Sequence, residues 1–191
     1  MEELKKLQEQ VKKCKICKIP SYSYPLFQGA SKAKIMVISQ SPSKKVLEYG
    51  QKWRDNFSGK TLRSWFGIPD EVFYNPDLIY LTSIGKCYPG KDKKGFDKFP
   101  DLICAEKWLK KEIKLVKPKL IIIVGNFSFQ WFFPGERFLK NVNGEIKKWH
   151  GINVYCLPHP SGANVATRKR LDMKKIIGNL RKNISIEINF A

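Results

Sequence analysis

The stretch Leu120-Ile121-Ile122-Ile123-Val124, running directly into Gly125-Asn126-Phe127, decides the fold of this chain. A short unbroken apolar run, rich in β-branched residues and closed by glycine, is the pattern of a strand buried on both faces. Three more such runs stand at Ile35–Ser39, Leu78–Ile84 and Ile152–Leu157. Helical patterns separate them at about Lys60–Phe66, Asp101–Val116 and Asn126–Phe133, and a basic amphipathic one covers Thr167–Asn183. Leu4, Leu7 and Val11 recur at helical spacing, so the first dozen residues are also expected to be helical. Strands alternating with helices predict a three-layer α/β/α sandwich around a central four-stranded parallel sheet. Gly90–Pro100, rich in Lys, Asp and Gly, is expected to be a loop. No internal repeat or long linker divides the chain, so residues 1–191 are read as a single domain.

The residues just past each strand are polar and rich in turn formers: Gln40-Ser41-Pro42-Ser43, Lys86-Cys87-Tyr88-Pro89-Gly90, Gly125-Asn126-Phe127, and Pro158-His159-Pro160-Ser161-Gly162. Ligands of open α/β sheets bind beyond the carboxyl ends of the strands. These four stretches are therefore the expected rim of the site.

The composition narrows the partner. Lys and Arg number 36 against 17 Asp and Glu, a formal net charge of +19. Such an excess favours a polyanion, since neutralising phosphates releases condensed counterions. A lysine-rich solvated surface in a heat-adapted protein is the competing explanation. No apolar run approaches the ~20 residues that span a bilayer. Met1–Lys13 lacks the apolar core of a signal peptide. The expectation is a cytoplasmic protein, monomeric, with no membrane partner.

Five cysteines in a reducing compartment point to metal or cluster ligation more than to disulfides. Cys14 and Cys17 form a C-x2-C pair, and Cys87 and Cys104 form a second, wider pair. Four thiolates from two distant pairs suit a [4Fe–4S] cluster. A four-cysteine zinc site fits the same count, and buried free thiols are the third reading. Cys156, inside Val154-Tyr155-Cys156-Leu157, reads as a core residue.

In context, these cysteines resemble those of the thermostable, family 4 members of the uracil-DNA glycosylase superfamily. Tyr80-Leu81-Thr82-Ser83-Ile84-Gly85-Lys86-Cys87 resembles that family's strand leading to its third ligand, and Ile103-Cys104-Ala105-Glu106-Lys107-Trp108-Leu109 its helix around the fourth. Phe57-Ser58-Gly59 matches its F-x-G, and His159-Pro160-Ser161 the superfamily's H-P-S. The likeness runs from about Cys14 to the final helix. It implies a [4Fe–4S] cluster on Cys14, Cys17, Cys87 and Cys104, and a DNA repair enzyme that excises uracil or another deaminated base.

The resemblance also assigns roles. His159 would donate a hydrogen bond to the carbonyl of the departing base, whose negative charge grows as the bond breaks. Phe57 would stack on the extruded base. The backbone at Gln40, in the first motif, would contact the base and a nearby water, and Ser161 is a further candidate for binding the base. Gly162-Ala163-Asn164-Val165 corresponds to the loop that wedges into the duplex, with Val165 as the apolar tip. Independently of the resemblance, Arg168 and Lys169, with Arg170, Lys174 and Lys175, follow His159 near the rim and could hold phosphates at a helix N-terminus; a solvated charged face is the other reading.

Two positions depart from the family. Ser83 stands where the superfamily often has an asparagine that reads the edge of uracil, and a hydroxyl offers fewer fixed contacts than an amide. That opens the specificity to hypoxanthine or xanthine. Ser41 stands where family 1 enzymes carry a water-positioning aspartate, leaving Asp55 and Glu48 as candidates for that task. The expected activity is monofunctional, with water and not a lysine capturing the sugar. The alternative is a non-catalytic iron–sulfur module of the same fold that binds nucleic acid.

Overall fold

The computed structural model describes residues 2–54 and 56–189. In chain order these form α1 (Glu2–Lys12), β1 (Ile35–Ser39), α2 (Lys44–Tyr49), α3 (Phe57–Phe66), α4 (Asp70–Phe73) and β2 (Ile79–Ser83). A π-helical turn (Ala105–Leu109) then runs into α5 (Lys110–Val116), and β3 (Leu120–Val124), α6 (Asn126–Phe132), α7 (Phe138–Asn141), β4 (Ile146–Trp149) and β5 (Ile152–Leu157) come next. A 3-10 turn (Gly162–Asn164), α8 (Val165–Lys169) and α9 (Met173–Ile188) complete the series.

The sheet order is β2-β1-β3-β5-β4. The first four strands are parallel, and every residue of β1, β2 and β3 is buried, as continuous apolar runs require. Right-handed crossovers decide the layers. The step from β1 to β2 runs one way along the sheet; the steps from β2 to β3 and from β3 to β5 run the other way. Helices α2 to α4 therefore cover one face, and α5 and α6 the opposite one. Helix α9 returns to pack on α3, and α1 packs on α5, which completes an α/β/α sandwich. Ile176, Leu180 and Ile184 of α9 are buried at i, i+4 and i+8, each contributing about 1.5–3 kcal/mol by leaving water.

The sheet has one strand more than the sequence pattern predicts. β4 pairs antiparallel with β5 through a tight turn in which His150 (φ 45°) and Gly151 (φ 81°) both take the left-handed conformation favoured in two-residue hairpins. Its Lys147 and Lys148 break any apolar run and suit an edge strand, where charge discourages further pairing. The single helix expected over Thr167–Asn183 is two helices. Asp172 accepts a hydrogen bond from the Lys175 N–H at 3.0 Å and caps a new helix in the middle of the pattern. Helix α3 begins at Phe57, three residues ahead of the expected start, because Asn56 caps it through the Gly59 N–H at 2.7 Å.

Candidate active site

The carboxyl ends of β1 and β2 are stitched together beyond the sheet: Ile84 N–H donates to Ser39 O at 2.8 Å and Gly85 N–H to Gln40 O at 2.9 Å. Above them lie two connected spaces. A recess of about 90 Å³ is lined by Ser39, Ser41, Lys52, Trp53, Asn56 and His159, among others. A groove of about 730 Å³ is lined by Gln40, Phe99, Phe127, Trp131, Ser161 and Asn164, among others. Ser41, Ser43 and His159 line both, so they stand where the recess meets the groove.

His159 is held from two sides. The Ser161 N–H donates to its Nδ1 at 3.2 Å. Nδ1 is therefore the acceptor, and the neutral ring carries its proton on Nε2. Burial foremost, then the charge of Arg168, pushes its pKa down to about 4, so the ring is neutral at pH 7. Gly125, with φ 89°, lets α6 begin against the imidazole; a Cβ there would sit 3.4 Å from His159 Cβ. Arg168 Nη1 donates to His159 O at 3.0 Å and Ser161 O at 2.6 Å, and its guanidinium lies over the Trp65 ring. Its place in the fold is thus to hold the His-Pro-Ser turn. Ser161 Oγ accepts from Asn164 Nδ2 at 2.9 Å, which ties the turn to the 3-10 segment. Gly162, Val165 and Lys169 are exposed beside it.

Phe57 is not in the recess. It occupies the first turn of α3 and is 62% exposed. Trp53 lines the recess in its place, its ring centroid 6.1 Å from that of His159. Trp53 adopts φ 59°, uncommon for a bulky residue, and the surroundings enforce it. Its carbonyl accepts from Tyr74 OH at 2.8 Å and from Arg63 Nη1. Gly59 lies directly beneath: a Cβ there would fall 2.3 Å from Trp53 O and 2.1 Å from Arg54 O. The glycine of F-x-G therefore serves the tryptophan. The Trp53 indole N–H is buried with no acceptor among the described residues.

Ser83 is fully buried, and its hydroxyl is engaged on both sides. It donates to Gly85 O at 2.7 Å and accepts from Lys52 Nζ at 3.0 Å. It does not line the recess. Ser83 holds Lys52, which does line the recess. Behind them Lys86 Nζ bonds Glu112 Oε2 at 2.6 Å, Thr82 Oγ1 at 2.6 Å and Ser83 O at 2.9 Å, an ion pair with both side chains 1% exposed. Asp55, the candidate for water activation, lies outside the described residues. Glu48, the other candidate, is exposed on α2 and lines neither space.

The four cysteines of the two pairs converge. Cys14, Cys17, Cys87 and Cys104 all line one cavity of about 380 Å³, closed by Trp108, Pro89, Pro100 and Phe99. Trp108 Nε1–H donates to Cys14 Sγ and Lys86 N–H to Cys104 Sγ, each at 3.3 Å. Burial, then neighbouring Cys104, pushes the Cys17 thiol up to about 11 and that of Cys87 up to about 12. Among the described residues no three His, Cys, Asp or Glu are disposed to hold a single metal ion. Zinc needs its donors about 2.3 Å from one point. Four thiols round a shared cavity suit a larger body. Cys156 is buried in β5, apart from them.

The chain that builds this sheet and cleft is matched over residues 26–181 by the family model described as the uracil DNA glycosylase superfamily. The chain belongs to that superfamily. It is similar to the type-4 uracil-DNA glycosylase of Sulfurisphaera tokodaii, 29% identical over 92% of this chain and 84% of the relative. The type-4 enzyme of Saccharolobus solfataricus is 24% identical over 92% and 86%. A type-5 uracil-DNA glycosylase of Pyrobaculum aerophilum is 27% identical over 54% of this chain and 45% of its own. Among the described residues no helix is long and apolar enough to cross a membrane.

Proposed function

We propose that the protein is a monofunctional DNA glycosylase that hydrolyses the N-glycosidic bond of uracil, leaving an abasic site. The observation that carries this is His159, a neutral imidazole with its proton on Nε2, standing where a base-sized recess opens into a larger groove. DNA would lie along the groove, drawn by the net charge of +19. The stacked Phe99–Phe127 pair, centroids 5.0 Å apart, offers a flat apolar contact there. Lys169 and Arg170 supply exposed charge beside the turn.

The extruded base enters the recess against Trp53, which takes the stacking role in place of Phe57. As the bond from the sugar C1′ to the base breaks, its electron pair stays with the base. The His159 Nε2–H donates to the base oxygen that takes up this charge. Water adds to the electron-poor C1′ and gives its proton to solvent. A neutral donor suits the task, because it needs no proton from an acidic medium.

Cys14, Cys17, Cys87 and Cys104 fit a [4Fe–4S] cluster on the arrangement of their side chains. The cluster would supply structural cross-linking, tying the segment after α1 to the loop after β2 and the turn that begins α5.

The test is a glycosylase assay on oligonucleotides carrying one uracil, hypoxanthine or xanthine, with alkali revealing abasic sites. Wild type should cut uracil, and His159→Ala should lose about 100- to 1,000-fold in kcat. No abasic product from cluster-loaded protein that still binds DNA would reject an enzymatic role on these bases.

A further inference from the structure

Lys52 has no part in the chemistry above, yet the fold goes to some length to hold it. The residue is 2% exposed. Its Nζ donates to Ser83 Oγ at 3.0 Å, and among the described residues that hydroxyl is its only hydrogen-bond partner. Glu112, the acid of this region, is already engaged by Lys86 and Thr82. An ammonium buried without a direct ion pair, with Glu112 acting on it only from a distance, is costly, and such groups concentrate at functional sites. The backbone around it is pinned as well: Lys52 N–H donates to Gln28 Oε1 at 2.9 Å, and the next residue is the strained Trp53.

Position gives the lysine a use. It lines the recess with Trp53 and His159. Its amine is anchored at the end of β2, where Ser83 pairs in register with Ser39 of the recess wall. Ser83 cannot itself offer a hydrogen to a ligand, because its own goes to Gly85 O. Of the two, Lys52 is the residue that lines the recess, and its amine has hydrogens that Ser83 does not take.

We infer that Lys52 is the specificity-determining residue of the pocket, donating a hydrogen bond to a ring carbonyl of the extruded pyrimidine and so selecting uracil against cytosine. The inference rests on the glycosylase reading and deepens it. A lysine ammonium has three donors and no acceptor. The carbonyl at C4 of uracil satisfies one of them. The amino group at C4 of cytosine would set donor against donor and leave a buried charge without a partner. Mismatches of that kind support far larger discrimination than a missing methyl group does. Burial, foremost, with the charge of Lys86, pushes Lys52 down to about 7, so the amine is poised to gain from a carbonyl that favours its charged form.

The experiment is single-turnover cleavage by the cluster-loaded full chain of oligonucleotides with one uracil or one cytosine. Wild type is compared with Lys52→Met and Lys52→Gln. Methionine matches the lysine in length and removes a buried charge, so the fold is retained; melting and cluster absorbance check this. Lys52→Met should lower kcat/KM on uracil about 10- to 100-fold and shrink the uracil-to-cytosine ratio. Lys52→Gln, which can present either a donor or an acceptor, should recover part of the uracil rate and admit cytosine. Free uracil should inhibit wild type and lose its hold on Lys52→Met, a readout independent of turnover.

An unchanged rate and ratio in Lys52→Met would overturn the inference. So would a borohydride-trapped protein–DNA adduct that vanishes in Lys52→Met, since the amine would then be a nucleophile toward the sugar. Wild type inert on uracil would instead bring down the glycosylase reading, and this inference with it.

Discussion

The Ser161 N–H donates to His159 Nδ1, and this one bond determines which imidazole nitrogen faces the cleft with a hydrogen. The histidine is then a neutral donor, with its pKa held near 4. Nitrogen-15 NMR should find it as the Nε2–H tautomer throughout pH 5–8. The linked stability effect has a definite sign. The folded pKa of about 4 lies below the unfolded value of 6.5, so the unfolded chain binds the extra proton between them. The stability associated with His159 is present above pH 6.5 and lost as pH falls through 4. His159→Gln should flatten that part of the melting profile, and an unchanged profile would contradict the burial described.

Trp53 and Phe57 make opposite predictions. Trp53→Ala should reduce kcat/KM on uracil by about 5- to 150-fold, the range of ~1–3 kcal/mol measured for base–aromatic stacking. Phe57→Ala, at an exposed helix start, should change it less than threefold. Gly59→Ala should resemble Trp53→Ala in activity and also lose about 1–3 kcal/mol in denaturant unfolding, because its methyl group would strike the carbonyls of Trp53 and Arg54. Equal losses in Trp53→Ala and Phe57→Ala would return the stacking role to the phenylalanine.

The contrast between those two aromatics shows where sequence reasoning stops. Ile35–Ser39 and Leu120–Val124 are legible as strands because burial on both faces leaves no other composition open to them. β4 is not, since an edge strand bearing Lys147 and Lys148 has no periodic signal. His159 is marked by its flanking prolines and the serine after them. Lys52 is one basic residue among 36, and its distinction is a bond to Ser83 across 31 positions of chain. Trp53 depends likewise on Tyr74, Arg63 and Gly59. Roles created by tertiary neighbours leave no local trace.

Lys52 predicts a stability change opposite to the usual cost of mutation. Its folded pKa of about 7 lies below the unfolded 10.5, so the unfolded chain binds more protons between these values. Stability linked to this residue is full above pH 10.5 and lost as pH falls through 7. The charged and titratable groups around it are Lys86 beyond β2, Glu112 on α5 and His159 across the recess. Lys52→Met should therefore raise Tm at pH 6.5 and leave it nearly unchanged at pH 10.5. A lower Tm at pH 6.5 would mean that the ammonium is better compensated than its single hydrogen bond to Ser83 implies.

The cysteines divide four against one. Protein made under iron-replete, anaerobic conditions should be brown and carry about four irons and four sulfides per chain, as one [4Fe–4S] cluster requires. Cys17→Ala or Cys87→Ala should abolish the colour, because each thiol borders the shared cavity from a different segment of the chain. The N–H donors on Cys14 and Cys104 would then lack the charged sulfurs they are placed to stabilise. Helix α1 buries Leu4, Leu7 and Val11 in the core, so the fold should survive cluster loss with a lowered Tm and faster proteolysis near Cys14–Cys17. Cys156→Ala is the control: buried in β5 away from the cavity, it should keep full iron and lose about 1 kcal/mol of stability. Colourless wild-type protein holding one zinc would replace the cluster with the smaller ion, and the open cavity between the four thiols would then have to close around it.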